Sequence, residues 1–345
     1  MPIRIERINT AASAEWDSYV DAHAGGTPFH LTAWGKTLRE VFGYTDRSMA
    51  ARGTDGRIEG VLPLFEVDNF MTGRVLISSP FAVYGGILAD SSEVLDALGA
   101  EARRLGEERG AQYIELRNCR EEQRIGATPV DRYATFVQHV SPMTDEELLA
   151  TVSKKTRNMV RKALKSPFSA RPAASMDTFY ALMCHNYRRL GTPIFPRRFF
   201  DSLARNYGAA VDLREILVED KVAAAAFNFL YKGSMHTYYA ASAPEFLNLA
   251  PNNFMYFEFL RWSGQNGFQE FDFGRSKKES GTWEFKRHWG TTIRELPYEV
   301  VLIRRKDPPN FSPKNPKFEA VIAVWQRLPL FVTKLLGPRL IGLFP

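Results

Sequence analysis

Two stretches of this chain spell out the same order of elements, and that repeat limits the folds open to it. In the first half, helical spacing at Trp16, Tyr19 and Val20 (13–23) and at Trp34, Leu38, Val41 and Phe42 (32–41) comes first. Strands at 48–52 and 58–67 then flank Asp55-Gly56, a strong hairpin signal. A third strand at 74–79, an amphipathic helix at 92–109 and a strand at 113–117 complete the unit. In the second half, strands at 213–219 and 222–230 flank a polar Glu219-Asp220-Lys221 turn, and a third strand runs over 234–241. Pro251-Asn252-Asn253 opens a helix to Gln265, and a strand over 268–273 closes the unit. Two such units in tandem predict a duplicated α/β (α+β) fold. The expected units are 1–145 and 146–305, followed by a tail over 306–345.

A chain of 345 residues is long enough for two cores. Its net charge of +6 suits an anionic ligand or surface such as a phosphorylated donor, RNA or acidic lipid. Cys119 and Cys184 are far apart in sequence and form no metal-type or redox pair, which predicts a reducing cytoplasm. The first residues alternate like a strand with no apolar leader core, and no run of 18 apolar residues occurs. Neither a signal peptide nor a membrane span is therefore expected.

Between the units, Lys154, Arg157, Arg161 and Lys165 form one stripe on a predicted helix over 153–165. Such a stripe is either a solvated face or a contact for phosphates; it lacks the interleaved aromatics of RNA readers. In the tail, Pro308, Pro309, Pro313 and Pro316 predict a stiff linker. Phe318, Val321, Ile322, Trp325 and Leu328 then share a helical face, and 330–344 is apolar apart from Lys334 and Arg339. This segment either caps the core or lies in a membrane interface.

The stretch from Phe271 to Gly290 carries the chemistry. An alternating strand breaks at Gly274, the cations Arg275, Lys277 and Lys278 follow, and the aromatics Trp283, Phe285 and Trp289 close it. A strand ending in glycine beside N–H donors and cations can hold an anion or a developing oxyanion.

Phe271-Asp272-Phe273-Gly274-Arg275-Ser276, with Gly281-Thr282, Phe285-Lys286 and Trp289-Gly290, resembles the FemAB-like branch of the GNAT acyltransferase superfamily. The resemblance extends to Pro28-Phe29-His30-Leu31-Thr32-Ala33-Trp34, to Pro80–Gly86 and to Leu190–Phe200. It is strongest toward proteins of exosortase/PEP-CTERM exopolysaccharide systems, with a BioF2-like acetyltransferase domain. It implies two tandem GNAT-like domains and transfer of an acyl or aminoacyl group onto an amine of a cell-envelope saccharide or precursor. In the better-known members the donor is aminoacyl-tRNA and the acceptor a peptidoglycan precursor. Acyl-CoA and acyl carrier protein are the other donors implied, with no permanently bound cofactor. The pyrophosphate loop usual in GNAT proteins is absent; Phe246–Asn253 stands in its place, although free N–H groups from Asn252 onward can still meet a phosphate.

No Ser–His–Asp or Cys–His set is readable, so direct attack by the amine is expected rather than an acyl-enzyme. Lys286 and Arg275 are candidates for oxyanion or anion contacts, the alternative being structural ion pairs. Asp272 orients Arg275, accepts a proton or serves a structural pair. His236 is a base or an ordinary hydrogen-bonded histidine. Tyr84 and Gly85 offer a hydroxyl and open backbone to a substrate, or only a tight turn. Trp289 either stacks on a ligand or belongs to the core, and Tyr239, Ser276 and Asn252 complete the candidate substrate contacts. Through the resemblance alone, Asn186, Arg188 and Thr192 are placed in the cleft. Two other readings are open: a long-chain N-acyltransferase making a ceramide-like lipid, and a binding scaffold without chemistry. A cytoplasmic location is expected, on the inner membrane face if the tail binds lipid.

Overall fold

Eighteen strands among the described residues assemble into three sheets, and two of those strands leave the half of the chain in which they are encoded. The computed structural model describes residues 3–8, 14–309 and 316–345. Met1, Pro2, Ser13 and the linker's Pro313 lie outside the described residues, as does the side chain of Phe318.

The elements follow the expected order. The first helices run over Ala14–Ala22 and Thr32–Phe42, and the long helix spans Ser92–Arg109. That helix starts where Ser91 Oγ accepts from Val94 N and stops at Gly110, whose φ is +62°. The strand expected over 58–67 is two strands, Ile58–Leu62 and Phe65–Asn69. Pro63, with no N–H to give, stands in the break between them, and the two pieces join different sheets.

One sheet has four strands in the order Arg4–Arg7, Met49–Arg52, Ile58–Leu62, Leu88–Ala89. The second has six: Thr45–Asp46, Phe65–Asn69, Gly73–Ile77, Tyr113–Leu116, Tyr298–Leu302 and Thr128–Val130. The third runs Phe168–Pro172, Val211–Val218, Lys221–Tyr231, Ser234–Ser242, Glu270–Asp272, Tyr133–His139 and Ser276–Lys277. Thr292–Glu295 also pairs with its Tyr133–His139 strand.

The second and third sheets share a device. Each contains one parallel pair, Gly73–Ile77 with Tyr113–Leu116 and Ser234–Ser242 with Glu270–Asp272. In each, the next strand out is antiparallel and comes from across the expected boundary at 145/146. Tyr298–Leu302 completes the six-stranded sheet, and Tyr133–His139 sits inside the eight-stranded one. On the first of these, Glu299 is fully buried and accepts N–H bonds from Ile125 (2.8 Å) and Ala127 (2.9 Å). Sequence order cannot reveal this, because both strands look equally able to pair within their own half.

One aromatic core bridges the halves, with Phe29, Trp34 and Phe65 packed in the same cluster as Phe199, Phe200, Phe227 and Tyr298. The basic helix is Lys154–Ala163. Val160 is its buried anchor, and Arg157 turns inward to donate to the carbonyls of Leu149 and Val152. Lys154, Arg161 and Lys165 face solvent. The tail is two helices, Pro316–Arg327 and Leu330–Leu340, with Trp325, Thr333 and Gly337 turned inward.

The exchange makes a testable demand. Val300 is 1% exposed on the strand that completes the six-stranded sheet. Val300→Asp places a charge there and is expected to lower stability by about 3 kcal/mol or more in urea unfolding. A change no larger than that of an exposed-loop substitution contradicts the exchange.

Candidate active site

The parallel pair in the eight-stranded sheet is short: Ser234 faces Glu270, Met235 faces Phe271 and His236 faces Asp272. Gly274, at φ +78°, then turns its strand away, while the neighbour continues to Ser242. That neighbour also carries a bulge. Phe227 faces Tyr239 and Asn228 faces Thr237, leaving Tyr238 without an opposite residue. The two strands therefore splay, and cavities open around the split.

A short helix, Gly281–Arg287, folds back over it. Ser280 fixes its start by accepting from Trp283 N at 3.2 Å. Its Lys286 is 8% exposed and donates from Nζ to the carbonyls of Gly274 (2.9 Å) and Arg275 (3.1 Å). Burial pushes its pKa down to about 8, with the Asp272 charge opposing and Arg275 reinforcing that shift. The sign follows from linkage. Between about 8 and the ordinary value of 10.5 the unfolded chain holds more protons here, so this group favours folding increasingly as pH rises.

Lys286 lines two cavities. One is a groove of about 780 Å³, walled by Asn186, Arg188, Ser242, Asn252, Tyr256 and Phe285 among others. The other is a chamber of about 330 Å³ that includes Arg117, Thr192, Tyr238, Tyr239, Gly274 and Arg275. A third cavity, about 470 Å³, holds Tyr84, Thr135, His236 and Asp272.

Asp272 ties these spaces together. Its Oδ1 accepts from Thr135 Oγ1 and from Gly274 N, both at 2.7 Å, and its Oδ2 accepts from Tyr84 Oη at 2.7 Å. His236 Nδ1 lies 3.6 Å from Oδ2. Burial alone would raise the Asp272 pKa, but His236 and these donors outweigh it and hold the carboxyl below its usual range. His236 is pushed down, chiefly by burial and further by Lys286, so its neutral form prevails at neutral pH. Its Nε2 is buried and has no hydrogen-bond partner among the described residues. A Cβ built on Gly274 would sit 3.2 Å from that nitrogen and 3.8 Å from Lys286 Nζ, so glycine keeps a gap open between the two groups.

Arg275 sits among tyrosines, and among the described residues it pairs with no acid. Its guanidinium lies 4.6 Å from the Tyr133 ring centroid and donates to Tyr298 Oη at 3.2 Å. Of the roles open to Asp272, orienting Arg275 is not the one seen: its oxygens take the two hydroxyls and Gly274 N. Arg117 pairs with Glu115 at 2.7 Å and also reaches the Pro345 carbonyl at 3.1 Å. The loop carrying Tyr84 is strained: Ser79 and Phe81 have φ of +48° and +65°. It is pinned by Ser79 Oγ on the Phe29 carbonyl and by Tyr238 Oη on the Phe81 carbonyl.

Several of the expected residues therefore gather around the splayed strands. Asn186, Arg188, Asn252 and Lys286 share the groove, Thr192, Tyr239 and Arg275 the chamber, and Tyr84, His236 and Asp272 the third cavity. Gly85 supports Tyr84 from behind; at φ +144° it has Ser79 so close that a Cβ would lie 2.4 Å from that residue's own. Ser276 is buried on a strand pairing with Ala134. Trp289 is fully buried against Tyr256, Phe273 and Phe285, a core position away from the cavity walls. The replacement for the pyrophosphate loop is a turn over Pro244–Leu249 followed by Ala250 at φ +61°. Asn252 opens the helix after it, and its Oδ1 accepts from Ser242 Oγ at 2.5 Å. Sequence reasoning missed Thr135, Tyr133 and Tyr298, whose roles depend on the exchanged strands and leave no local signal.

Comparison with known proteins gives this arrangement a context. Residues 151–287 match the acetyltransferase (GNAT) domain family. The lipid II:glycine glycyltransferase of Staphylococcus epidermidis is 21% identical, over 84% of this chain and 91% of that protein. The crystal structure of FemX superposes with a TM-score of 0.65 at 18% identity, covering 87% of this chain and 98% of that one. A tandem GNAT protein from the clavulanic acid biosynthesis pathway gives a TM-score of 0.55 at 10% identity, over 89% of this chain and 100% of that one.

Two measurements check the carboxylate hub. Tyr84→Phe is expected to cost about 2 kcal/mol in urea unfolding, as for a hydrogen bond to a charged group; no loss contradicts the hub. An NMR titration should find His236 neutral where an ordinary histidine is half protonated, at about pH 6.5, and an ordinary titration contradicts its assigned environment.

Proposed function

We propose a reaction for this chain from the premise that it belongs to the FemAB-like branch of the GNAT acyltransferases. In this reading the groove takes an activated aminoacyl or acyl donor, and the chamber presents the amine of a cell-envelope saccharide precursor. The amine attacks the donor carbonyl directly. The observation that carries the reading is the position of Lys286, a buried ammonium where groove and chamber meet, anchored by two backbone carbonyls.

The chemistry needs a donor for the oxyanion of the tetrahedral intermediate, and Lys286 has a third N–H for it. As the new C–N bond forms, the ester or thioester bond to the donor's carrier breaks. The proton lost by the amine must end on the leaving group. Neutral His236, with its Nε2 facing the gap at Gly274, is the residue we assign to take up that proton and return it to the departing oxygen or sulfur. Arg188 and Asn252 along the groove suit the phosphates of tRNA, coenzyme A or the carrier-protein arm. Arg275, stacked and lacking an acid among the described residues, suits an anionic group on the acceptor.

The name of the staphylococcal relative favours an aminoacyl donor and a peptidoglycan-type precursor. The resemblance to exosortase-associated proteins adds an exopolysaccharide precursor as the alternative acceptor. Among the described residues no helix is long and apolar enough to cross a membrane. From the resemblance and from the exposed apolar side chains of the tail, we read the chain as meeting a membrane-borne acceptor at the cytoplasmic surface, with its tail on the lipid side.

Purified protein offered aminoacyl-tRNA, acyl-CoA and acyl carrier protein in turn, with a precursor amine, tests the reading. Lys286→Met is expected to lower kcat by about 10²–10³-fold, the loss typical for an oxyanion donor. Because the ammonium is the working form, the rate should fall as pH rises through about 8, and Lys286→Arg should move that limb upward. Full activity in Lys286→Met overturns the assignment.

A further inference from the structure

The tail is only half accounted for by packing. Trp325 is 7% exposed, and a Cβ on Gly337 would meet Ile194 N at 2.9 Å, so these faces are committed to the core. Other parts of both helices are not. Val321, one turn before Trp325, and Val324 are 61% and 59% exposed on the first tail helix. Phe331 and Leu335 are 72% and 61% exposed on the second. A second apolar projection comes from far away in sequence. Phe70, 87% exposed, and Met71 form the tip between strands Phe65–Asn69 and Gly73–Ile77. Asn69 Oδ1 accepts from Met71 N (2.9 Å) and Thr72 N (3.0 Å), which sets the shape of that tip. Tip and tail wall one apolar cavity of about 520 Å³ between them.

Isolated exposed apolar residues need no explanation, but a shared face of this kind does. Its charges identify what covers it. Arg327, Lys334 and Arg339 are exposed beside the apolar residues, and among the described residues none pairs with an acid. Glu319 is the only acidic residue from 316 to 345. A second copy docking through the same face would bring these cations together. Anionic lipid headgroups neutralise them while the acyl boundary takes up the aromatic and aliphatic side chains. The cavity also shares Thr192, Ile341, Phe344 and Pro345 with the chamber that Lys286 lines.

We propose that the Phe70–Met71 tip and the outer face of the two tail helices form one membrane-docking face, which seats on a bilayer rich in anionic lipid and turns the chamber toward it. A precursor held in that bilayer then reaches the chamber from the side on which the protein rests. This deepens the reading above by naming the surface through which the acceptor arrives, and it rests on that reading for the nature of the acceptor alone.

Sedimentation of the full chain with vesicles tests the proposal. Binding to phosphatidylcholine vesicles containing about 30 mol% phosphatidylglycerol is expected, with much weaker binding to phosphatidylcholine alone. The pairs Phe70→Ser with Met71→Ser, and Phe331→Ser with Leu335→Ser, should each weaken partitioning by about tenfold or more. Their melting temperatures should stay at the parent value, since all four side chains are at least partly exposed. Lys334→Glu with Arg339→Glu should abolish the preference for anionic vesicles. Absent binding, serine variants that bind like the parent, or a dimer formed through this face without vesicle binding would each overturn the proposal. Transfer to a water-soluble amine reports separately on the reaction: its failure with vesicle binding intact sinks the proposed chemistry and leaves the docking face standing.

Discussion

Four pieces of chain meet at the Asp272 carboxylate. Tyr84 comes from a strained loop of the first half, Thr135 from the exchanged strand, His236 from the parallel neighbour and Gly274 from the turn that follows. A buried carboxylate is costly unless its lone pairs are filled, and here three donors at 2.7 Å fill them. That requirement fixes the turn at Gly274. The turn in turn aims the carbonyls of Gly274 and Arg275 at Lys286. The position of the catalytic candidate is thus set by a hydrogen-bond knot one turn away from it.

The same arrangement sets the electrostatics. Lys286 is held by neutral carbonyls rather than by a carboxylate in contact, so burial dominates and its pKa falls to about 8. A lysine paired directly with Asp272 would remain fully charged but have its donors spent. Arg275, whose contacts are tyrosine rings and a tyrosine hydroxyl, has donors to spare. Both cations are therefore available to a ligand at small cost in broken contacts, a form of preorganisation that oxyanion chemistry exploits. The strand exchange stiffens this frame, because neither the Tyr84 loop nor the Gly274 turn can shift without disturbing both large sheets.

Much of the fold was legible because its signals are local. Apolar periodicity marked the long helix over Ser92–Arg109 to the residue, and the glycine break after Phe273 coincides with the turn at Gly274, whose φ is +78°. The resemblance carried by the stretch from Phe271 to Gly290 named the acyltransferase family that the comparisons then supported. Partners of that stretch were not legible. Thr135 and Tyr133 are brought in by a strand encoded before the expected boundary at 145/146, and Tyr298 by one encoded near the end of the expected second unit. Pairing between distant strands leaves no periodic trace in either one. Trp289 shows the opposite case, since an aromatic beside a candidate site reads alike whether it faces a ligand or, as here, the core.

The central claim is that a donor carbonyl lies against Lys286 where groove and chamber meet. A crystal structure with a donor analogue whose ester or thioester is replaced by an amide tests it most directly. The account predicts the carbonyl oxygen about 3 Å from Lys286 Nζ, a hydrogen-bond distance, with the carrier running along the groove past Asn252. A carbonyl bound in the cavity beside Tyr84 and Asp272, out of reach of Lys286, would contradict it.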